Sequence, residues 1–185
     1  MFSQIRTALL AGKGLVLLYL TYLTIWIATS YAPQSPGHQP PFVLWVTDII
    51  NLYIHEAGHF FFKPFGQFIH VLGGSLFQVL VPLTLAAVTF RQTPQHVAYP
   101  LFWTGESMVN VSPYIQDAPV MKLRLIARGL MHDWNYLLRG HLDWAEPLGD
   151  FVFLLGILVC TTAIGAGVYF AVRSYRESEE VTPPE

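Results

Sequence analysis

The stretch "NLYIHEAGHFFFKPFG", residues 51–66, sets His55, Glu56 and His59 in a run otherwise apolar enough for a lipid bilayer. Ionisable groups at membrane depth are costly, so they are expected to have partners and a function. On a helix, His55 and His59 stand at i and i+4, so their imidazoles share one face and can hold one ion. Glu56 lies on the same turn, close enough to act as a general base without ligating. That is the mechanical content of H-E-x-x-H: two imidazoles bind Zn2+ and the carboxylate takes a proton. If the residues were ordinary bundle histidines, they would instead be hydrogen-bonded and Glu56 would be an interhelical partner.

The rest of the chain supports a bilayer setting. Of 185 residues 53% are hydrophobic and 12% charged, about half the roughly 25% charged residues usual in soluble domains, and mean hydropathy is +0.43. The expected fold is an all-α membrane protein of about five transmembrane helices, near 15–32, 42–62, 75–90, 97–114 and 151–172. These form a single polytopic domain, 1–172, with an interfacial segment at 115–147 and a hydrophilic tail at 173–185. Arg6 and Lys13 ahead of an apolar run resemble a signal peptide, but the run is long for one, so a retained first helix is expected. "APQSPGHQPP", 32–41, cannot continue a helix because proline lacks the amide donor. "FGQFIHVLGG", 65–74, reads as a short extended or re-entrant link after the H-E-x-x-H helix.

A net charge of -2 with scattered Lys and Arg excludes nucleic acid as a partner. The partners expected are the lipid bilayer and either a membrane-protein substrate or a larger membrane complex. The single cysteine, Cys160, reads as a small hydrophobe in an apolar run. Counting Lys and Arg near the span ends puts Arg6, Lys13, Lys63, Lys122, Arg124, Arg128 and Arg139 on one side and Arg91, Arg173 and Arg176 on the other. The positive-inside rule then places the N-terminus in the cytoplasm, with the chain in the cytoplasmic (inner) membrane.

A catalytic zinc wants a third protein ligand and leaves the fourth position for water. In "GESMVNVSPYIQDA", 105–118, Glu106, Asn110, Pro113 and Asp117 fall on one helical face, and Asp117 follows a proline that opens the helix. Asp117 is therefore the preferred third ligand. His132 and Asp133 in "MHDWNYLLRG", 131–140, are its rivals, and Glu106 is the structural alternative. Asn51, four residues before His55, is placed to hold that imidazole. Asp48 sits about 10 Å further along the axis, at 1.5 Å per residue, and can only line a water path. Asn110 and Gln78 are candidates for binding an unwound substrate strand; for Gln78 the plainer role is an interhelical hydrogen bond.

Taken together, "HEAGH" at 55–59 and Asn110, Pro113 and Asp117 resemble the site-2 protease family of intramembrane zinc metalloproteases over about residues 42–118. That family's second signature is N-x-x-P-x-x-x-x-D-G; here the spacing is one residue shorter and Ala118 replaces the glycine. The resemblance implies cleavage of a membrane-embedded segment of another protein. The alternative is a non-catalytic accessory subunit of a larger membrane complex with a retained structural metal. A desaturase needs several histidine clusters with adjacent pairs, which the seven histidines lack. A diiron bundle needs two Glu-x-x-His motifs, and a haem needs histidines from two helices, for which His70, His96 and His132 are available.

Overall fold

The computed structural model describes residues 2–35, 37–123 and 131–180. Among these the chain is helical throughout, without strands: α1 (Phe2–Ser30), α2 (Phe42–Phe62), α3 (Gln67–Gln92), α4 (Ala98–Gln116), a short α5 (Asp133–Leu137) and α6 (Ala145–Glu180), with 3-10 turns at Lys63–Phe65, Pro94–His96 and Leu142–Trp144. Three stretches are long and apolar enough to cross a membrane, Thr7–Ser30, Gln67–Gln92 and Leu142–Glu177, which marks this as a membrane protein. They expose Leu15, Leu18, Leu83, Leu85, Leu154 and Leu158 outward, as helices surrounded by lipid do. Helices α2 and α4 are not among the three. Helix α2 buries Asn51 and His55, and α4 buries Glu106, Ser107 and Ser112 together with Val109 and Ile115.

The link expected at 65–74 is corrected: only Gly66 breaks the chain, and α3 runs unbroken from Gln67 through Gly73 and Gly74. Gly66 has φ +90°, a left-handed conformation that glycine adopts without strain. Gly73 and Gly74 serve packing rather than turning. A Cβ on Gly58 of α2 would collide with the Gly73 carbonyl, and one on Gly73 would lie 2.6 Å from Phe62 Cβ. The glycines thus let α2 and α3 meet backbone to backbone. At the other interface a Cβ on Gly105 would come within 2.6 Å of the Gly156 carbonyl, and one on Gly156 within 2.7 Å of the Gly105 carbonyl. Helices α4 and α6 therefore share the most extensive contact in the molecule.

The core between α1, α4 and α6 is built from Leu20, Leu23, Ile27, Phe102, Val109, Cys160 and Ala163, with Leu44 of α2. Helix α6 continues well past residue 172, so the first part of the expected tail, up to Glu180, is helical. Residues 181–185 lie outside the described residues, as do Arg124 and Arg128 of the segment 115–147.

Candidate metal centre

Along α2 the buried residues are Leu44, Asn51, His55 and Gly58, one stripe at helical period. His55 lies on that stripe and His59 at its edge. Their Nε2 atoms converge on one carboxylate oxygen, Asp133 Oδ2, at 2.9 Å and 3.1 Å. The three donor atoms all lie within 4.8 Å of one another. Ligands bound tetrahedrally at about 2.0–2.2 Å are separated by roughly 3.3 Å, so two imidazoles and a carboxylate this close together could hold one metal ion.

The opposite ends of the imidazoles are also committed. His59 Nδ1 donates to the His70 carbonyl at 2.9 Å, and His70 Nδ1 donates back to the His59 carbonyl at 2.8 Å. His55 Nδ1 meets Gln78 Oε1 at 3.3 Å. With Nδ1 donating, each Nε2 offers a lone pair to Asp133 unless a second proton or a cation stands between them. Two protons or one metal ion can make the same contacts, and metal binding at such a site displaces protons. Burial works to raise the Asp133 carboxyl, but the imidazole contacts outweigh it and hold its pKa at about 2, so Asp133 is a carboxylate at neutral pH.

Room for an ion comes from Gly74. A Cβ there would lie 2.5 Å from His55 Nε2 and 2.7 Å from His59 Nε2, filling the space both nitrogens face. Ser75 beside it accepts a hydrogen bond from Trp134 Nε1 at 3.1 Å, which ties α5 to α3. Sequence reasoning missed Gly74, Ser75 and Trp134. The paired glycines in an otherwise apolar helix were the available signal.

Asp117, the preferred third ligand, is not in this cluster; Asp133, one of its rivals, is. Asp117 is fully buried, and its two oxygens accept from the backbone amides of Lys122 and Leu123 at 2.9 and 2.8 Å. Oδ2 also contacts His132 Nε2 at 3.3 Å. His132 Nδ1 in turn accepts from the amide of Asn135, capping α5, and burial pushes its pKa down. Asn135 Nδ2 donates to the Ala118 carbonyl at 2.8 Å, and the Asp133 amide donates to Tyr114 Oη at 3.1 Å. The three candidates thus have different jobs: Asp117 holds His132, His132 starts α5, and the first residue of α5 is Asp133.

Asn51 does not hold His55 either. Its amide donates to Glu106 Oε2 at 2.8 Å, and its oxygen accepts from Trp103 Nε1 at 2.9 Å and Ser107 Oγ at 3.1 Å. All of these partners lie on α4, so Asn51 fastens α2 to that helix. Asn110 bonds Gln78, Tyr31 and Asp48.

Glu56 is half-buried and lines a cavity of about 640 Å³ together with His55, His59, Asp133 and Tyr114. The cavity reaches Asp48, Tyr31 and Trp45 at the far end of α2, with the α1–α2 loop at its rim. It is large enough for a short extended peptide.

No protein-family model, curated protein or solved structure matches this chain.

Proposed function

We propose that this protein is an intramembrane zinc-dependent endopeptidase of the site-2 protease type, with zinc held by His55, His59 and Asp133. The observation that carries the reading is the convergence of two imidazole Nε2 atoms and a carboxylate oxygen beside Glu56 in one cavity. Zinc held by these three residues would supply a Lewis acid and a water acidified to near neutral pKa. Glu56 accepts the proton of the attacking water and delivers it to the leaving amine. Tyr114 and Gly74 bound the space around the histidines, which restricts where a peptide carbonyl can approach.

The substrate is a membrane-embedded segment of another protein. Such a helix must unwind before cleavage, because its carbonyls are hydrogen-bonded within the helix. A cavity that continues about 10 Å from His55 to Asp48, the axial length of seven helical residues, offers an unwound strand room for about three residues at 3.3 Å each. We further propose that α2 and α4 cross the bilayer inside the ring of lipid-facing helices, making five spans. The N-terminus then lies in the cytoplasm and the chain in the inner membrane, as the Lys and Arg distribution supports.

The experiment that tests the function is elemental analysis of purified wild type, His59→Ala and Asp133→Ala, followed by cleavage of transmembrane-segment substrates by wild type and Glu56→Gln. About one zinc per chain, lost in the first two variants, with cleavage lost in the third, supports a protease. Zinc without any cleavage would turn the conclusion to an accessory subunit with a structural metal, and carefully prepared wild type without metal would end both readings.

A further inference from the structure

His59 and His55 are oriented by different kinds of group. His59 Nδ1 faces a backbone carbonyl, which only accepts, so that nitrogen carries a proton. His55 Nδ1 faces Gln78, a side-chain amide that could present either oxygen or nitrogen. Turned the other way, Gln78 would donate to Nδ1, the proton would move to Nε2, and the nitrogen aimed at Asp133 could no longer bind a metal.

We infer that Asp48, Asn110 and Gln78 form a positioning line that keeps His55 in its Nδ1–H form, so that the carboxylate of Asp48 sets the ligating nitrogen of a histidine seven residues away on the same helix. This rests on the reading of the cluster as a metal centre. Gln78 Nε2 donates to Asn110 Oδ1 at 2.7 Å and lies 3.4 Å from the Ser107 carbonyl. Both of those atoms are acceptors, so the amide nitrogen belongs on that side. Asn110 is oriented in its turn, because its Nδ2 donates to Asp48 Oδ1 at 2.7 Å and to Tyr31 Oη at 2.9 Å.

Tyr31 Oη donates its own proton to Asp48 Oδ1 at 3.1 Å, so toward Asn110 it is an acceptor. Reversing Asn110 would press its carbonyl oxygen against the carboxylate oxygen of Asp48. Each amide is therefore oriented by the next, and the series ends at the Asp48 carboxyl, whose Oδ1 accepts from both Asn110 and Tyr31. The line runs from α2 across α4 and α3 and back to α2. It does through two amides what a carboxylate bonded directly to a metal-binding histidine does elsewhere: it fixes the tautomer and raises the basicity of the ligating nitrogen.

The test reads the protonation sites of the histidine rings by carbon and nitrogen NMR of metal-free protein at mildly alkaline pH, with zinc affinity measured alongside. In wild type His55 Nδ1 is expected to carry a proton, whether or not Nε2 also donates to Asp133. In Asp48→Leu and in Asn110→Leu the ring is expected to populate both tautomers, with zinc affinity weaker by about 10- to 100-fold. His59, oriented by backbone, should keep Nδ1–H in both and so reports that the variants have folded; should either fail that check, Gln78→Leu cuts the line at its last link.

The double variant should be no worse than Asn110→Leu alone, since Asp48 acts only through Asn110. A His55 Nδ1 without a proton in wild type would overturn the inference. So would an unchanged His55 tautomer in folded Asp48→Leu, or fully additive losses of affinity. The ring spectra need no metal, so a wild type without zinc affinity would count against the metal centre while leaving this test readable.

Discussion

His59 and His70 exchange hydrogen bonds across the turn between α2 and α3, each Nδ1 donating to the other's backbone carbonyl at 2.9 and 2.8 Å. The pair closes the Gly66 turn and aims His59 Nε2 at Asp133 in the same stroke. His70→Ala removes one of the two bonds and the ring packed against His59. We expect about tenfold weaker zinc binding in a competition titration with a chromophoric chelator, with stoichiometry retained at high zinc.

Gly74→Ala introduces a methyl where the two Nε2 atoms point. The imidazoles must swing away, so zinc content should fall toward zero while the far-ultraviolet circular dichroism of the helices stays the same. Retention of a full equivalent of zinc would show that the ion does not sit between Gly74 and the histidines.

Asp133 and Asp117 should differ in whether zinc stoichiometry survives. Asp133→Ala removes a ligand and should abolish stoichiometric zinc. Asp117→Ala keeps all three donor groups but loosens the path that places Asp133, stranding the buried His132 at about 1–3 kcal/mol and freeing the amides of Lys122 and Leu123. Its thermal unfolding in detergent should shift to lower temperature, while zinc still binds at low temperature, more weakly than in wild type but at full stoichiometry.

Glu56→Gln keeps the shape of the side chain and removes the carboxylate that the proposed mechanism uses as base. Zinc content should equal that of wild type, and cleavage of a transmembrane-segment substrate should fall by about a hundredfold or more. Equal loss of metal and cleavage would mean that Glu56 ligates.

Gly156→Val tests the α4–α6 contact. The Cβ alone would come within 2.7 Å of the Gly105 carbonyl, so the helices must part, at a cost of about 1–3 kcal/mol for overpacking. Thermal unfolding should shift down by several degrees, and since α4 carries Asn110 and Tyr114, zinc affinity should fall with it.

The H-E-x-x-H pair was legible because it is local. Two histidines at i and i+4 share a face on any helix, whatever surrounds them, and the extent of α2, 42–62, could be read from proline and apolar boundaries. The glycines at 73 and 74 were misleading for the converse reason. Glycine marks a turn in isolation, and only a second helix lying against it reveals that the missing Cβ is a packing device.

The third donor depended on tertiary structure altogether. Asp117 has the better local context, on a helical face after Pro113, and Asp133 merely begins a five-residue helix. What brings Asp133 to the histidines is a path through space: Asp117 anchors His132, His132 caps α5, and Trp134 fastens α5 to Ser75 on α3. The same holds for Asn51 and Gln78, one drawn to α4 and the other to His55 by neighbours far away in the chain. Sequence alone determined an all-helical membrane chain and the two imidazoles with their carboxylate, because helical period and apolar composition act over a few residues. Only the folded arrangement decided which distant carboxylate and which amide join the two imidazoles in one cluster, because a hydrogen-bonding group is committed by whatever donor or acceptor packing sets beside it.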